Sequence, residues 1–196
     1  LADDILAAAD RVRLTPDTTT GADSNVVSGV RRTEPLTTVG RLMAERTTQS
    51  WTTIPHFFVT REIDASALNE ARGALLPVIE RSHSVKVTHT DLIVTAVAST
   101  LRRHPRLNAS WTGGAIVDHP EINVALALAV EGAVVTGVIP HADRTAVADI
   151  AVRRRDLMQR ASVGRLRPED VAGGTFTISN LGMFDVDAFT AIIVPP

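Results

Sequence analysis

Cysteine is absent from the 196-residue chain, which excludes a disulfide framework, a thiolate metal site and a cysteine nucleophile. The absence fits a reducing compartment, and a cytoplasmic location is the expectation. Stretches dense in Lys and Arg are also missing and the formal net charge is -2, so the phosphate neutralisation that a nucleic-acid partner requires has no basis here. The longest apolar stretch, Ile122 to Ile139, is broken by Asn123, Glu131, Gly132, Thr136 and Gly137 and makes a poor membrane span. A soluble protein without a membrane partner is expected. No basic segment leads into an apolar one near the start, so no signal peptide is read. A first residue of Leu rather than Met suggests that part of a longer polypeptide lies upstream. None of the six histidines pairs with another at the i, i+4 spacing that puts two ligands on one helical face, so no metal site is expected.

Hydrophobic residues make up 44% and charged residues 21%, values of an ordinary globular protein able to bury one sizeable core. Residues Ala2 to Leu14 have helical composition, and Thr15 to Arg32 read as a linker because Thr, Asp, Ser, Gly and Asn sustain no apolar period. The compact domain is expected to start near Thr33. Leu36, Val39, Leu42 and Met43 fall at helical spacing within Leu36 to Gln49. Ile54 to Ile63, rich in aromatic and β-branched residues, suits a strand. Ser66 to Arg81 should be a helix interrupted or bent near Pro77. A buried helix follows from Thr90-Asp91 to His104, stopped by Pro105. Ile122 to Val130 and Ala133 to Ile139 predict an antiparallel hairpin. Ala146 to Arg160 is helical in period, Thr175 to Ser179 alternates as a strand, and Phe189 to Val194 reads as a last strand. The sum is a mixed α/β or α+β sandwich.

Taken alone, the candidate chemistry is sparse. Gly113-Gly114 and Gly173-Gly174 match neither nucleotide-binding glycine pattern and read as turns. His56, inside an apolar segment after Pro55, reads as a packed or hydrogen-bonded ring. Ser179 sits where a strand runs into the turn Asn180-Leu-Gly182, a position from which a hydroxyl can face a cleft or simply cap the turn. No G-x-S-x-G elbow surrounds it, and nothing nearby in sequence would activate it as a nucleophile.

The string Gly173-Gly-Thr-Phe-Thr-Ile-Ser-Asn-Leu-Gly-Met-Phe184, with Asp187-Ala-Phe-Thr-Ala-Ile-Ile193 and Pro195-Pro196, resembles a highly specific signature of the acyltransferase catalytic domain of E2 components of 2-oxo acid dehydrogenase complexes. Further pieces match in the family's order: Thr53-Ile-Pro-His-Phe57 with Ile63-Asp64, Asp91 to Ala98, Pro105 with Asn108-Ala-Ser-Trp111, and Ile122-Asn-Val-Ala125. The resemblance covers residues 33 to 196, with residues 1 to 32 as a short helix and linker from an upstream region.

The resemblance implies a chloramphenicol acetyltransferase-like fold, a mixed sheet with flanking helices whose C-terminal part is missing here. It implies homotrimers that assemble further into a core, and E1 and E3 components as partners. The activity implied is reversible acyl transfer between the thiol of a lipoyl group, carried on an upstream domain, and coenzyme A. Ser179 matches the hydroxyl that hydrogen-bonds the tetrahedral oxyanion. Phe189 and Ile192 match positions beside the pantetheine arm.

The family's general-base histidine belongs to an H-x-x-x-D-G motif beyond Pro196, so a fragment inactive by itself is expected. The chain departs from the family pattern at Gly40, where an Arg is usual, and at Gly137, Pro140 and His141, where Pro, Arg and Asp are usual. Two other readings stay open. One is a non-catalytic E2-like core or assembly protein without the base histidine, and the other is a small-molecule acyltransferase using free acyl-coenzyme A.

Overall fold

The computed structural model describes residues 37–130 and 133–193. The expected helix and linker over residues 1 to 32 lie outside them. In chain order the elements are α1 (Thr38–Thr53), α2 (Ser66–His83), α3 (His89–Arg103), a 3-10 turn (Pro105–Leu107), β1 (Ala109–Thr112), β2 (Ala115–Asp118), β3 (Val124–Val130), β4 (Ala133–Ile139), α4 (Val147–Ser162), the short α5 (Pro168–Val171) and β5 (Phe176–Ile178).

One three-stranded sheet has the order β4-β3-β5. β3 pairs antiparallel with β4, Val124 opposite Ile139, and parallel with β5, Val124 opposite Phe176. The sheet is therefore mixed, with helices packed on it, as the sequence predicts. The central strand is an almost unbroken apolar run, with Val124, Leu126 and Leu128 facing the helices, while on the other face Ala127 is half-buried and Ala129 exposed. Val124, Leu126 and Leu128 join Ile139 of β4, Val94, Ala98 and Leu101 of α3, and Ile150, Leu157 and Ala161 of α4 in the main core. A smaller cluster of Ile79, Val85, Val87 and Ala151 holds α2 against α4.

Two local rules account for the helix and hairpin boundaries. At the start of α3 the Thr88 N–H and hydroxyl both donate to the Asp91 carboxylate, at 2.7 and 2.8 Å, so the side chain at N3 caps the helix entry. The same carboxylate, fully buried, accepts two bonds from Arg154 of α4, at 2.6 Å to Nε and 3.2 Å to Nη2. In the separate β1–β2 hairpin, Gly113 and Gly114 both have positive φ, 59° and 86°, as a two-residue loop between right-twisted strands requires. The expected turn is there, although β1 and β2 themselves are too short to stand out by period.

Three expectations are corrected. The stretch Ile54 to Ile63 is no strand among the described residues: Phe57 is 85% and Val59 84% exposed. Aromatic and β-branched composition favours extended backbone but does not supply a neighbouring strand to bond it. Residues 189–193 also lie outside any strand, and Val194 is not among the described residues. Helix α2 is not interrupted at Pro77, which corrects that half of the expectation. The lost N–H deprives the Gly73 carbonyl of its intrahelical donor, while Leu75, Leu76 and Ile79 pack on the smaller cluster and hold both halves. The first helix is found but shifted to Thr38–Thr53, and its Leu42 and Met43 are exposed.

Gly137 shows how tightly β4 and α4 meet. A Cβ there would lie 2.9 Å from Leu128 Cδ1 and 3.2 Å from Leu157 Cδ1, so the leucines occupy the space a side chain would need. Leu157→Ala is expected to cost about 2–5 kcal/mol of folding free energy, measured by urea unfolding. A loss well under 1 kcal/mol would show that α4 is not packed as described.

Candidate active site

Ser179 follows β5 directly and is half-buried. Two asparagines set its position from either side. Before the strand, buried Asn123 accepts the His141 N–H on Oδ1 at 2.9 Å and donates from Nδ2 to the Gly173 carbonyl at 3.0 Å and to Glu121 Oε2 at 3.2 Å. Its main chain joins in: the Asn123 N–H donates to Thr175 Oγ1 at 3.1 Å, and its carbonyl accepts the Thr175 N–H at 2.8 Å. Beyond the strand, Asn180 donates from Nδ2 to Thr90 Oγ1 of α3 at 3.1 Å and accepts the Gly182 N–H on Oδ1 at 2.9 Å.

The residue between these clamps has little freedom of backbone. Its hydroxyl makes no hydrogen bond to another described residue, whereas Thr175 and Asn180 on either side do. A positioned donor with no internal partner is what electrostatic stabilisation of a developing charge requires. A nucleophilic role has no support, because no histidine ring bonds this hydroxyl: the ring bonds of His83, His89 and His119 go to Ser82, Asn69 and Ser110. His56 is bonded to Ile54 and Ile193 and lies 3.5 Å from the Ser50 hydroxyl.

The other two expected site residues are placed less firmly. Phe189 is 46% exposed and Ile192 half-buried, and neither belongs to the packed clusters. A cavity of about 320 Å³ lies elsewhere, lined by Leu101, Arg102, Asn108, His119, Ile122 and Arg144 among others. None of the three site residues reaches it. Asn123 and Asn180 carry the geometry yet were not singled out as site residues in the sequence. The available signal was a polar residue interrupting the apolar run of β3, the same Asn123 that counts against a membrane span.

The approach to β5 is further fixed from α4. Asp170 of α5 is buried, ion-pairs with Arg160, lies 3.5 Å from Arg153 Nη2 and accepts the Arg167 N–H at 2.9 Å. Burial acts to raise its pKa, but the Arg167 N–H and the Arg160 and Arg153 guanidiniums outweigh it and hold the carboxyl below its ordinary value.

The folded protein therefore binds this proton more weakly than the unfolded chain. The resulting stability is present above the unfolded carboxylate value of about 3.9 and is lost as pH falls through the lower folded value. In a pH series of thermal unfolding, the gap between wild type and Asp170→Asn is expected to be widest near neutrality and to narrow in that acid window. Parallel curves would contradict the ion-pair reading.

The fold and the Ser179 turn define an acyltransferase catalytic domain of the kind found in 2-oxo acid dehydrogenase complexes. The family model described as "2-oxoacid dehydrogenases acyltransferase (catalytic domain)" matches residues 28–196, and the chain belongs to that family. It is 36% identical over 162 residues to the mitochondrial dihydrolipoyllysine-residue acetyltransferase component of the pyruvate dehydrogenase complex of Schizosaccharomyces pombe, covering 83% of this chain and 33% of that protein. The chain thus spans about a third of that curated relative's length.

Among solved structures, it superposes on Azotobacter vinelandii dihydrolipoamide acetyltransferase with a TM-score of 0.79 and 27% identity, over 83% of this chain and 68% of that one. In that enzyme a serine, a histidine and an asparagine have been investigated for their role in the catalytic mechanism. It also superposes on the cubic core of the pyruvate dehydrogenase multienzyme complex, with a TM-score of 0.81 and 25% identity, over 91% of this chain and 74% of that one. The expected E2-core fold is borne out.

Proposed function

We propose that residues 33–196 are the acyltransferase portion of an E2 component, moving an acyl group between the thiol of a lipoyl group and coenzyme A. The observation that carries this reading is the Ser179 hydroxyl, unbonded among the described residues and held between the Asn123 and Asn180 clamps. Attack of one thiolate on the other partner's thioester converts the carbonyl to a tetrahedral oxyanion, which collapses by breaking the original C–S bond and releasing that partner's thiolate. Ser179 donates to that oxygen, a bond stronger to the charged intermediate than to the ground-state carbonyl. Phe189 and Ile192 form apolar walls for the thin pantetheine arm. Their partial exposure suits side chains that a bound substrate covers.

The base that takes the thiol proton is assigned to the histidine of the family's H-x-x-x-D-G motif, outside residues 1–196. Homotrimers assembled into a larger core, with E1 and E3 as partners and a cytoplasmic setting, belong to the same reading. The cubic-core relative and the exposed Trp51, Phe57 and Phe58 support the assembly part of that reading. A non-catalytic E2-like core protein is the alternative reading, and it would share this fold without transferring acyl groups.

Transfer from acetyl-, succinyl- and isobutyryl-coenzyme A to dihydrolipoamide by the full-length protein separates the two. Turnover is expected, with Ser179→Ala slowing it by about 10²-fold to 10³-fold. Unchanged turnover in the variant would remove the serine from the mechanism, and no turnover in wild type would favour the core protein.

A further inference from the structure

Helix α1 ends against the last described residues, and polar atoms make the contact. Ser50, 1% exposed, donates its hydroxyl to the Ile193 carbonyl. The Ile193 N–H in turn donates to His56 Nε2 at 2.9 Å. Both main-chain groups of one residue, 137 positions from the histidine, are therefore held. The other ring nitrogen settles the tautomer. His56 Nδ1 lies 2.7 Å from the Ile54 carbonyl, and a carbonyl can only accept, so Nδ1 carries the proton. Nε2 faces an N–H and must offer its lone pair. Trp51 and Phe58 flank the ring, with centroids 5.8 and 6.1 Å away.

A lone pair already engaged by a backbone N–H is not free to take a proton from a thiol. We infer that His56, with Ser50, is a positioning residue of the acyltransferase: it clamps Ile193 and so fixes the Phe189–Ile193 stretch as the wall along which coenzyme A binds. The inference rests on the acyl-transfer reading for its substrate, while the clamp itself does not. Gln can present an acceptor oxygen near the place of Nε2, whereas Leu fills the space without one. The pair therefore separates the hydrogen bond from packing.

The test is calorimetric titration of coenzyme A into the full-length protein, with amide exchange at Ile193 followed in parallel. His56→Leu is expected to weaken binding about tenfold, the scale of one lost hydrogen bond, and to speed Ile193 exchange. His56→Gln should restore both to within about twofold of wild type. Equal affinities in all three proteins would overturn the inference. If His56→Leu fails to fold, Ser50→Ala opens the other half of the clamp, and unchanged affinity there would overturn it equally. If wild type does not bind coenzyme A, the acyl-transfer reading falls, and the exchange rates alone decide the clamp. Protection in wild type and His56→Gln but not His56→Leu keeps it, and equal exchange ends it.

Discussion

The structure around the site depends on one buried side chain, Asn123. Placing an amide at the head of an apolar central strand costs solvation that only a full set of partners can offset. Asn123 finds them on three segments: the loop at His141, the Gly173 carbonyl and the neighbouring Glu121. The bonds to His141 and Gly173 hold backbone that has no regular secondary structure to hold it. The consequence is a fixed path from α5 into β5, a strand of three residues that would be marginal by itself. Since Ser179 is the next residue, the polar network at one end of the sheet sets where the Ser179 side chain stands at the other.

A second buried group secures the frame on which this path rests. Asp91 caps α3 and receives Arg154 of α4, and Arg154 Nη2 also reaches the Lys86 carbonyl at 3.2 Å. A charge buried this way is tolerable because every oxygen is paired, and its removal would leave a guanidinium without its partner. Thr90, which receives Asn180, lies one residue from Asp91 on the same helix. The Ser179 turn is thus referred to a rigid point. The departures from the family pattern fit this frame: Gly137 makes room for Leu157 and Leu128, and His141 adopts φ 48°, a left-handed conformation that His tolerates better than most residues.

The core helices and the β3–β4 hairpin were legible in the sequence because their apolar periods are long and match their burial. Elements that depend on a neighbour were not. Ile54 to Ile63 has strand composition and remains unpaired among the described residues, since composition says nothing about which backbone lies alongside. Nor were β1 and β2 legible as strands, being four residues each; only the Gly113-Gly114 turn between them was read from the sequence. At the site, the Ser179 motif was specific enough to find by resemblance. Its supporting asparagines act across 52 residues of sequence for the Asn123–Thr175 bond and 90 for Asn180–Thr90, and no local pattern reveals such pairs. His56 was read as a hydrogen-bonded ring, which it is, but its partner Ile193 could not be seen from the chain alone.

The central claim is that Asn123 serves the reaction through Ser179. A double-mutant cycle on acyl transfer by the full-length protein, with Asn123→Ala, Ser179→Ala and the pair, measures it directly. If the claim holds, Asn123→Ala slows the folded protein substantially, and adding it to Ser179→Ala slows transfer little further, because the hydroxyl it positions is already gone. Fully additive losses would contradict the account and assign Asn123 a role independent of the serine.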